Sequence, residues 1–310
     1  MTTSATGPST FTLHPRGAFS LRESAEFGFG QRDAAVFDST MRLAFCADDL
    51  VHQVGVAVTQ DEDGVHGRVV GAEDMGAAGD GATIERVAAQ TARMLSLDVD
   101  ARGYEAVGAR DPVIARALAA APGLRPPLFH SPYEAAAWCV LSLRWSGRQA
   151  SAVRDRLAAA HGRVVEVAGV SMAAFPTPAQ LLAVQAFDGV PPVKMDRLHG
   201  VATAAEAGLL DPEVLRRADP EEATARLRQI PGIGPFSASL ILLRASGVCD
   251  VAVEHEPRLT EIVGRLYDLP GPATAEDLRR ISEAWRPFRT WVGVLLRAAS
   301  SRMPQDATVS

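Results

Sequence analysis

The chain has 310 residues and a mass of 32.8 kDa, enough for two domains that each bury a core. Its 47% hydrophobic and 22% charged residues exclude a disordered chain, and no apolar run approaches the roughly 20 residues that cross a bilayer. Net charge is −6, and it falls on residues 1–130 (11 Arg against 17 Asp and Glu), so a polyanion would prefer the balanced remainder and be held by local groups.

The first ten residues are small, polar and uncharged, unlike a secretory leader. Cys46, Cys139 and Cys249 are too few and too far apart for a disulfide framework or a four-cysteine metal site. A cytoplasmic enzyme or binding protein is the class that remains. Residues 10–13, 41–46, 51–59 and 65–70 carry β-branched side chains in partial alternation and predict strands, with Asp61-Glu62-Asp63-Gly64 as a hairpin loop. Ile84, Val87, Ala88, Thr91, Met94 and Leu95 recur at helical spacing, so a helix packs on that sheet. Residues 1–110 thus read as an α+β N-terminal domain with an antiparallel sheet, whose acidic excess also suits docking to a protein partner.

From Asp111 the texture changes. Asp111-Pro112, Asp211-Pro212 and Asp219-Pro220 place an N-cap before a proline at the first helical position, and Thr274 caps another helix. Ser131-Pro132-Tyr133-Glu134 and Thr177-Pro178-Ala179-Gln180 read as capping boxes, and 121–132 as a proline-rich connector. Five or six short helices without a comparable β signal describe an all-α domain over 111–302. Residues 303–310 read as a polar, mobile tail.

The most informative stretch begins at Ile230-Pro231-Gly232-Ile233-Gly234-Pro235, between two helices. Two glycines bracketing an isoleucine allow a tight turn with positive φ and exposed amides, while Ile230 and Ile233 anchor it. Amides beside a helix N-terminus make an anion seat that grips a phosphate without reading a base and without a lysine patch. The same turn also serves as a plain corner between helices. After an extended 250–253, His255-Glu256-Pro257-Arg258-Leu259 opens another helix with Glu256 at its N-cap, where the helix dipole favours a carboxylate. Glutamate is a poorer cap than Asp or Ser. Glu256 therefore suits either a cap or a functional acid, and the adjacent His255 reads as a solvated or capping side chain.

These residues resemble the helix–hairpin–helix DNA glycosylase superfamily, specifically its 3-methyladenine DNA glycosylase II branch. Besides the hairpin, the likeness runs through 93–100, Asp111-Pro112, Pro122-Gly123-Leu124-Arg125, Ser131-Pro132-Tyr133-Glu134, Phe175-Pro176-Thr177-Pro178 and Trp285-Arg286-Pro287-Phe288-Arg289, most of the chain. The resemblance implies an α+β domain before an all-α helix–hairpin–helix glycosylase domain. It implies a monomer that engages double-stranded DNA containing a damaged base, hence a cytoplasmic, nucleoid-associated protein. No metal or organic cofactor is implied, although a monovalent cation at the hairpin carbonyls is compatible.

Carried over residue by residue, the catalytic aspartate of the family falls on Glu256, because the arginine nine residues later then falls on Arg265; Glu254 is the alternative register. Gly232, Ile233, Gly234 and Phe236 take the phosphate-binding positions. Phe236, Leu240, Trp285 and Trp138 take base-pocket positions, where flat aromatic faces attract a cationic alkylated purine; Leu240 stands where the family often has tyrosine. The wedge element reads Leu143-Arg144-Trp145-Ser146, with Arg144 or Trp145 filling the gap of a flipped nucleotide. Each aromatic also fits a plain core position. Phe236 replaces the Schiff-base lysine of bifunctional members, and the single lysine, Lys194, lies on another predicted helix. The expected activity is monofunctional release of alkylated bases in base excision repair. The glutamate and the altered wedge leave a second reading, a catalytically impaired protein that binds damaged DNA.

Overall fold

In the computed structural model, which describes residues 2–7, 9–27, 37–71, 81–254 and 256–303, the chain opens with β1 (Thr2–Gly7), β2 (Thr10–His14) and helix α1 (Leu21–Phe27). Strands β3 (Met41–Cys46), β4 (Gln53–Gln60) and β5 (Val65–Val70) follow, then α2 (Gly81–Met94). The five strands form an antiparallel sheet in the order β1-β2-β5-β4-β3. In β5, residues 65, 67 and 69 turn inward and 68 outward, the period of two that a half-buried strand requires. α2 covers this inner face with Ile84, Val87, Ala88 and Ala92. Position 67 must be glycine, since a Cβ there would lie 2.0 Å from the Phe11 ring.

The connector to the helical part is tied down by Arg125. Its fully buried guanidinium donates to the carbonyls of Arg16, Gly17, Ala18, Ser96 and Val99 at 2.7–3.4 Å. Burial lowers its pKa to about 10, so it remains cationic at neutral pH.

Next come α3 (Pro112–Ala120), α4 (Pro132–Ser142), α5 (Gly147–His161), β6 (Val164–Val167), β7 (Val170–Ala173), α6 (Pro178–Ala183), α7 (Pro192–Glu206), α8 (Pro212–Arg217) and α9 (Pro220–Leu227). The chain continues through α10 (Pro235–Ala245), α11 (Pro257–Leu266), α12 (Ala275–Ser282) and α13 (Arg289–Ala299). Eleven α-helices thus stand among the described residues where five or six were expected, because several are only one or two turns long between prolines. Asp111, Thr177, Asp211, Asp219 and Thr274 all cap helices as the sequence indicates, the two threonines within complete capping boxes. The box at Ser131 is only half formed. Its hydroxyl accepts the Glu134 amide, but the Glu134 carboxylate instead accepts the Cys46 amide at 3.0 Å and meets His130 at 2.9 Å, tying α4 to β3.

The helical part is also not wholly α. β6 and β7 form a hairpin that packs on β3 and β4 through Val165, Val167, Ala44 and Ala57. Its two-residue turn is Ala168-Gly169, both at positive φ, as a primed hairpin turn demands. Alanine in that position gives no sequence signal, and the hairpin escapes prediction.

Two helical cores result. One lies among α4, α5, α6, α7, α9 and α10; the other lies among α3, α11, α12 and α13. Val253 packs against both. Met303 joins the second core, and residues 304–310 lie outside the described residues. Among the described residues no helix is long and apolar enough to cross a membrane.

Candidate functional site

The turn after α9 is built as its sequence dictates. The Ile230 amide donates to the Leu227 carbonyl (3.1 Å) and the Ile233 amide to the Ile230 carbonyl (3.0 Å), while both isoleucine side chains enter the first core. Gly232 takes φ +94°, open to glycine and strained for other residues. Arg197 of α7 flanks it, its Cδ 2.9 Å from where a Cβ would stand. Gly234 is the N-cap of α10 and offers no side chain, in contrast to the side-chain caps of α3–α6, α8, α9, α11 and α12. With Pro235 at N1, this exposed, uncapped start presents amide donors and the positive end of the helix dipole to solvent. Phe236, 60% exposed, stands beside it, and Leu240 follows one turn later, half buried against the first core.

Beyond α10 the chain runs along the N-terminus of α13. The Thr290 amide donates to the Cys249 carbonyl (2.9 Å), and the Thr290 hydroxyl accepts the Val251 amide (3.1 Å). Arg289 pairs with the Asp250 carboxylate at 2.8 Å and donates to its carbonyl. Gly293 lets α13 approach closely, for a Cβ there would meet Leu259 Cδ2 at 3.2 Å. This anchored segment leads to Glu256 at the N-cap of α11, just after Val253, which packs on both cores.

Glu256 Oε2 accepts the Leu259 amide at 2.7 Å. The same oxygen lies 3.8 Å from Arg297 Nε, on the last turn of α13. The side chains of the pair are 18% and 29% exposed, so the carboxylate is shielded yet reachable. Glu256 Oε1 takes no hydrogen bond among the described residues. Glu254 points elsewhere, its carboxylate 2.7 Å from an exposed Arg279 on α12. Neither glutamate is locked to a buried arginine. His255 lies outside the described residues.

Other sequence-derived positions divide. Trp285 is 2% exposed inside the second core, and its Nε1 donates to Asp111 Oδ2 at 3.0 Å. Tyr267 Oη donates to the same oxygen at 2.5 Å. Trp285 is thus anchored in the second core, its indole N–H satisfied by an internal acceptor. Trp138 is half buried, with the Arg154 guanidinium 5.8 Å from its ring centre. Trp145 is half-buried against the first core, with Lys194 Nζ 3.2 Å from its ring centre covering one ring face. Lys194 is 6% exposed and donates to the Leu141 carbonyl at 2.5 Å; burial lowers its pKa to about 8. Arg144, by contrast, is exposed at φ +60° on the same loop. Sequence reasoning missed Arg297, whose place near a helix C-terminus reads as an ordinary solvated charge. A cavity of about 110 Å³ lined by Asp48, Leu50, Tyr133, Leu210 and Asp211 includes neither the hairpin nor either glutamate.

No protein-family model matches the chain. Among curated proteins it is 31% identical over 207 residues to the probable bifunctional transcriptional activator/DNA repair enzyme AlkA of Mycobacterium tuberculosis, covering 66% of this chain and 40% of that protein. The chain thus spans about two fifths of that relative's length. It is 28% identical over 198 residues to the DNA-3-methyladenine glycosylase 2 of Escherichia coli, covering 63% of this chain and 67% of that one. Among solved structures, the 3-methyladenine DNA-glycosylase from Archaeoglobus fulgidus superposes with a TM-score of 0.72 at 20% identity, covering 93% of this chain and 96% of that one. The α+β sheet domain followed by helices is therefore a fold shared with a solved glycosylase.

Proposed function

We propose that this chain, a member of the helix–hairpin–helix DNA glycosylase superfamily in its 3-methyladenine glycosylase II branch, releases alkylated bases from double-stranded DNA by hydrolysis of the N-glycosidic bond. The observation that carries the reading is the pairing of an uncapped helix start at Gly232–Phe236 with a carboxylate, Glu256, at the N-cap of α11. The hairpin amides hold one backbone phosphate and fix the register of the duplex without selecting sequence. Arg144 fills the gap left by the extruded nucleotide, and Phe236 with Leu240 borders the extruded base.

Glu256 then acts on the sugar. The Leu259 amide fixes Oε2, so Oε1 faces the carbon that becomes electron-poor as the base departs, and its charge stabilises that oxocarbenium-like centre. It next orients a water and takes its proton as the water oxygen bonds to the sugar. Hydrolysis is the only outcome, because the position of the Schiff-base lysine carries Phe236 and the single lysine lies beneath Trp145. A monovalent cation at the turn would be held by main-chain oxygens of residues 228–232. The Ile230 oxygen there already accepts the Ile233 amide, and no step passes through the cation. One copy of the chain engages one lesion.

Incubation with methylated duplex should yield free methylated purines and heat-labile abasic sites. Borohydride should trap no covalent adduct. Tight binding to damaged duplex with no base released would refute the reading, and a trapped adduct would refute the monofunctional part.

A further inference from the structure

The loop that carries Arg144 is clasped from α7. Helix α4 ends at Ser142 and α5 begins at Gly147, so residues 143–146 alone join them. Within that joint Arg144 stands at φ +60°, a conformation that a residue with a side chain holds only under restraint. Its side chain is exposed and makes no hydrogen bond or ion pair among the described residues. Lys194, on the first turn of α7, grips the chain on both sides of it. Its Nζ donates to the Leu141 carbonyl at 2.5 Å and lies 3.2 Å from the centre of the Trp145 ring. No carboxylate pairs with this buried ammonium among the described residues, and Arg197 further along α7 adds like charge. Burying such a cation is costly, and methionine would fill the same space without that cost, so packing alone does not account for a lysine here. The same helix braces the hairpin. Arg197 flanks Gly232, and a Cβ on Gly200 would stand 3.4 Å from Pro231 Cδ.

We propose that Lys194 is a positioning residue for base extrusion, holding the joint between α4 and α5 in the conformation that presents Arg144 to the gap in the duplex. The proposal rests on the assignment of Arg144 as the wedge. The Leu141 carbonyl lies in the last turn of α4, where the Trp145 amide donates to Ser142 instead, at 3.1 Å. The ammonium satisfies that carbonyl and complements the negative end of the helix dipole. The ring of Trp145 attracts the same cation through its face. With residues 141 and 145 both tied to α7, the backbone of Arg144 is set before DNA arrives, and only its side chain is left to be ordered on binding. Because α7 also braces the hairpin, the wedge keeps a fixed place relative to the phosphate that the hairpin holds. Without the clasp the loop would present Arg144 correctly only part of the time, and extrusion would fall by that fraction. Binding to intact duplex, made by the hairpin amides, would persist.

The test uses the full chain and a duplex with a single 7-methylguanine beside 2-aminopurine, whose fluorescence rises when its stacked neighbour leaves. Extrusion and single-turnover base release are measured for the unmodified protein, Lys194→Met, Arg144→Ala and the double variant. Affinity for undamaged duplex is measured over a range of salt concentrations. Lys194→Met should slow extrusion and release by about tenfold or more, while affinity stays within about twofold and its salt dependence is unchanged. Arg144→Ala should lose at least as much. Adding Lys194→Met to it should cost less than about twofold further, since the clasp acts only through the arginine. Trp145→Leu, which removes the ring face and leaves the lysine, should lose about three- to fivefold. Losses that multiply in the double variant, or release by Lys194→Met or Trp145→Leu at the unmodified rate, would overturn the proposal. So would a salt slope shallower by about 0.9 in Lys194→Met, the mark of a direct phosphate contact. Full extrusion by Arg144→Ala would instead overturn the wedge assignment, whichever way the lysine variant behaves.

Discussion

Replacing Glu256 with glutamine removes a charge while keeping the shape. The glutamine carbonyl can still accept the Leu259 amide that now reaches Oε2 at 2.7 Å, so the cap survives and stability should fall by less than about 1 kcal/mol. The reaction should suffer far more. A full positive charge about 4 Å from a carboxylate oxygen is stabilised by about 4 kcal/mol at an effective dielectric constant of 20, and half a charge on the sugar by about 2 kcal/mol. The substitution also uncovers Arg297, 3.8 Å from Oε2, and its repulsion adds about 1 kcal/mol more. Together these amount to about 3 kcal/mol, a fall of about two orders of magnitude in single-turnover base release. Duplex affinity, held by the hairpin amides, should change less than threefold. Glu256→Asp draws the carboxylate back by about 1.5 Å and should cost about a hundredfold. Glu254→Gln touches only the exposed pair with Arg279 and should stay within twofold. Base release by Glu256→Gln within tenfold of the unmodified protein would refute this account of the carboxylate, and a large loss in Glu254→Gln alone would move the role to that residue.

Other variants probe other links. Asp111→Ala removes the cap of α3 and strands the buried Trp285 Nε1 and Tyr267 Oη, so chemical denaturation should show a loss of about 3 kcal/mol; under about 1 kcal/mol would mean that water satisfies these groups. Gly232→Ala forces a side chain into φ +94° and against Arg197, and fluorescence anisotropy should show severalfold weaker binding to damaged and undamaged duplex alike. A loss confined to damaged DNA would contradict phosphate binding there. Lys194 has its folded pKa lowered from 10.5 to about 8, so its ammonium opposes folding below pH 8. Stability from this group should rise as pH climbs from about 8 to 10.5. Lys194→Met should abolish that rise relative to the unmodified protein in parallel thermal melts, and identical pH slopes would argue that Lys194 is not desolvated.

Local chemistry made much of this molecule legible. An Asp or Thr before proline fixes a helix start through bonds within four residues, so Asp111, Thr177, Asp211, Asp219 and Thr274 read correctly one at a time. The hairpin is legible for the same reason, since Gly232 answers a local backbone demand. What stayed hidden depends on partners far away in sequence. Glu134 has the spacing of a capping residue, yet the Cys46 amide, 88 positions earlier, captures its carboxylate. Trp285 matches a pocket position by motif, but Asp111, 174 residues away, claims its N–H. Arg297 gains its meaning only when α13 slides along Gly293 to bring it beside Glu256.

Arg125 has a practical consequence for anyone who would express the helical half by itself. Every carbonyl that solvates its guanidinium belongs to the segment 16–99, so cutting the chain near residue 110 would strip Arg125 of all five internal acceptors and leave it to water. The severed fragment would also expose apolar surface that the N-terminal half covers, such as Trp291 beside Arg125, and should be prone to clumping until the missing half is supplied in trans. The sheet is thus less an accessory than the other jaw of a clamp.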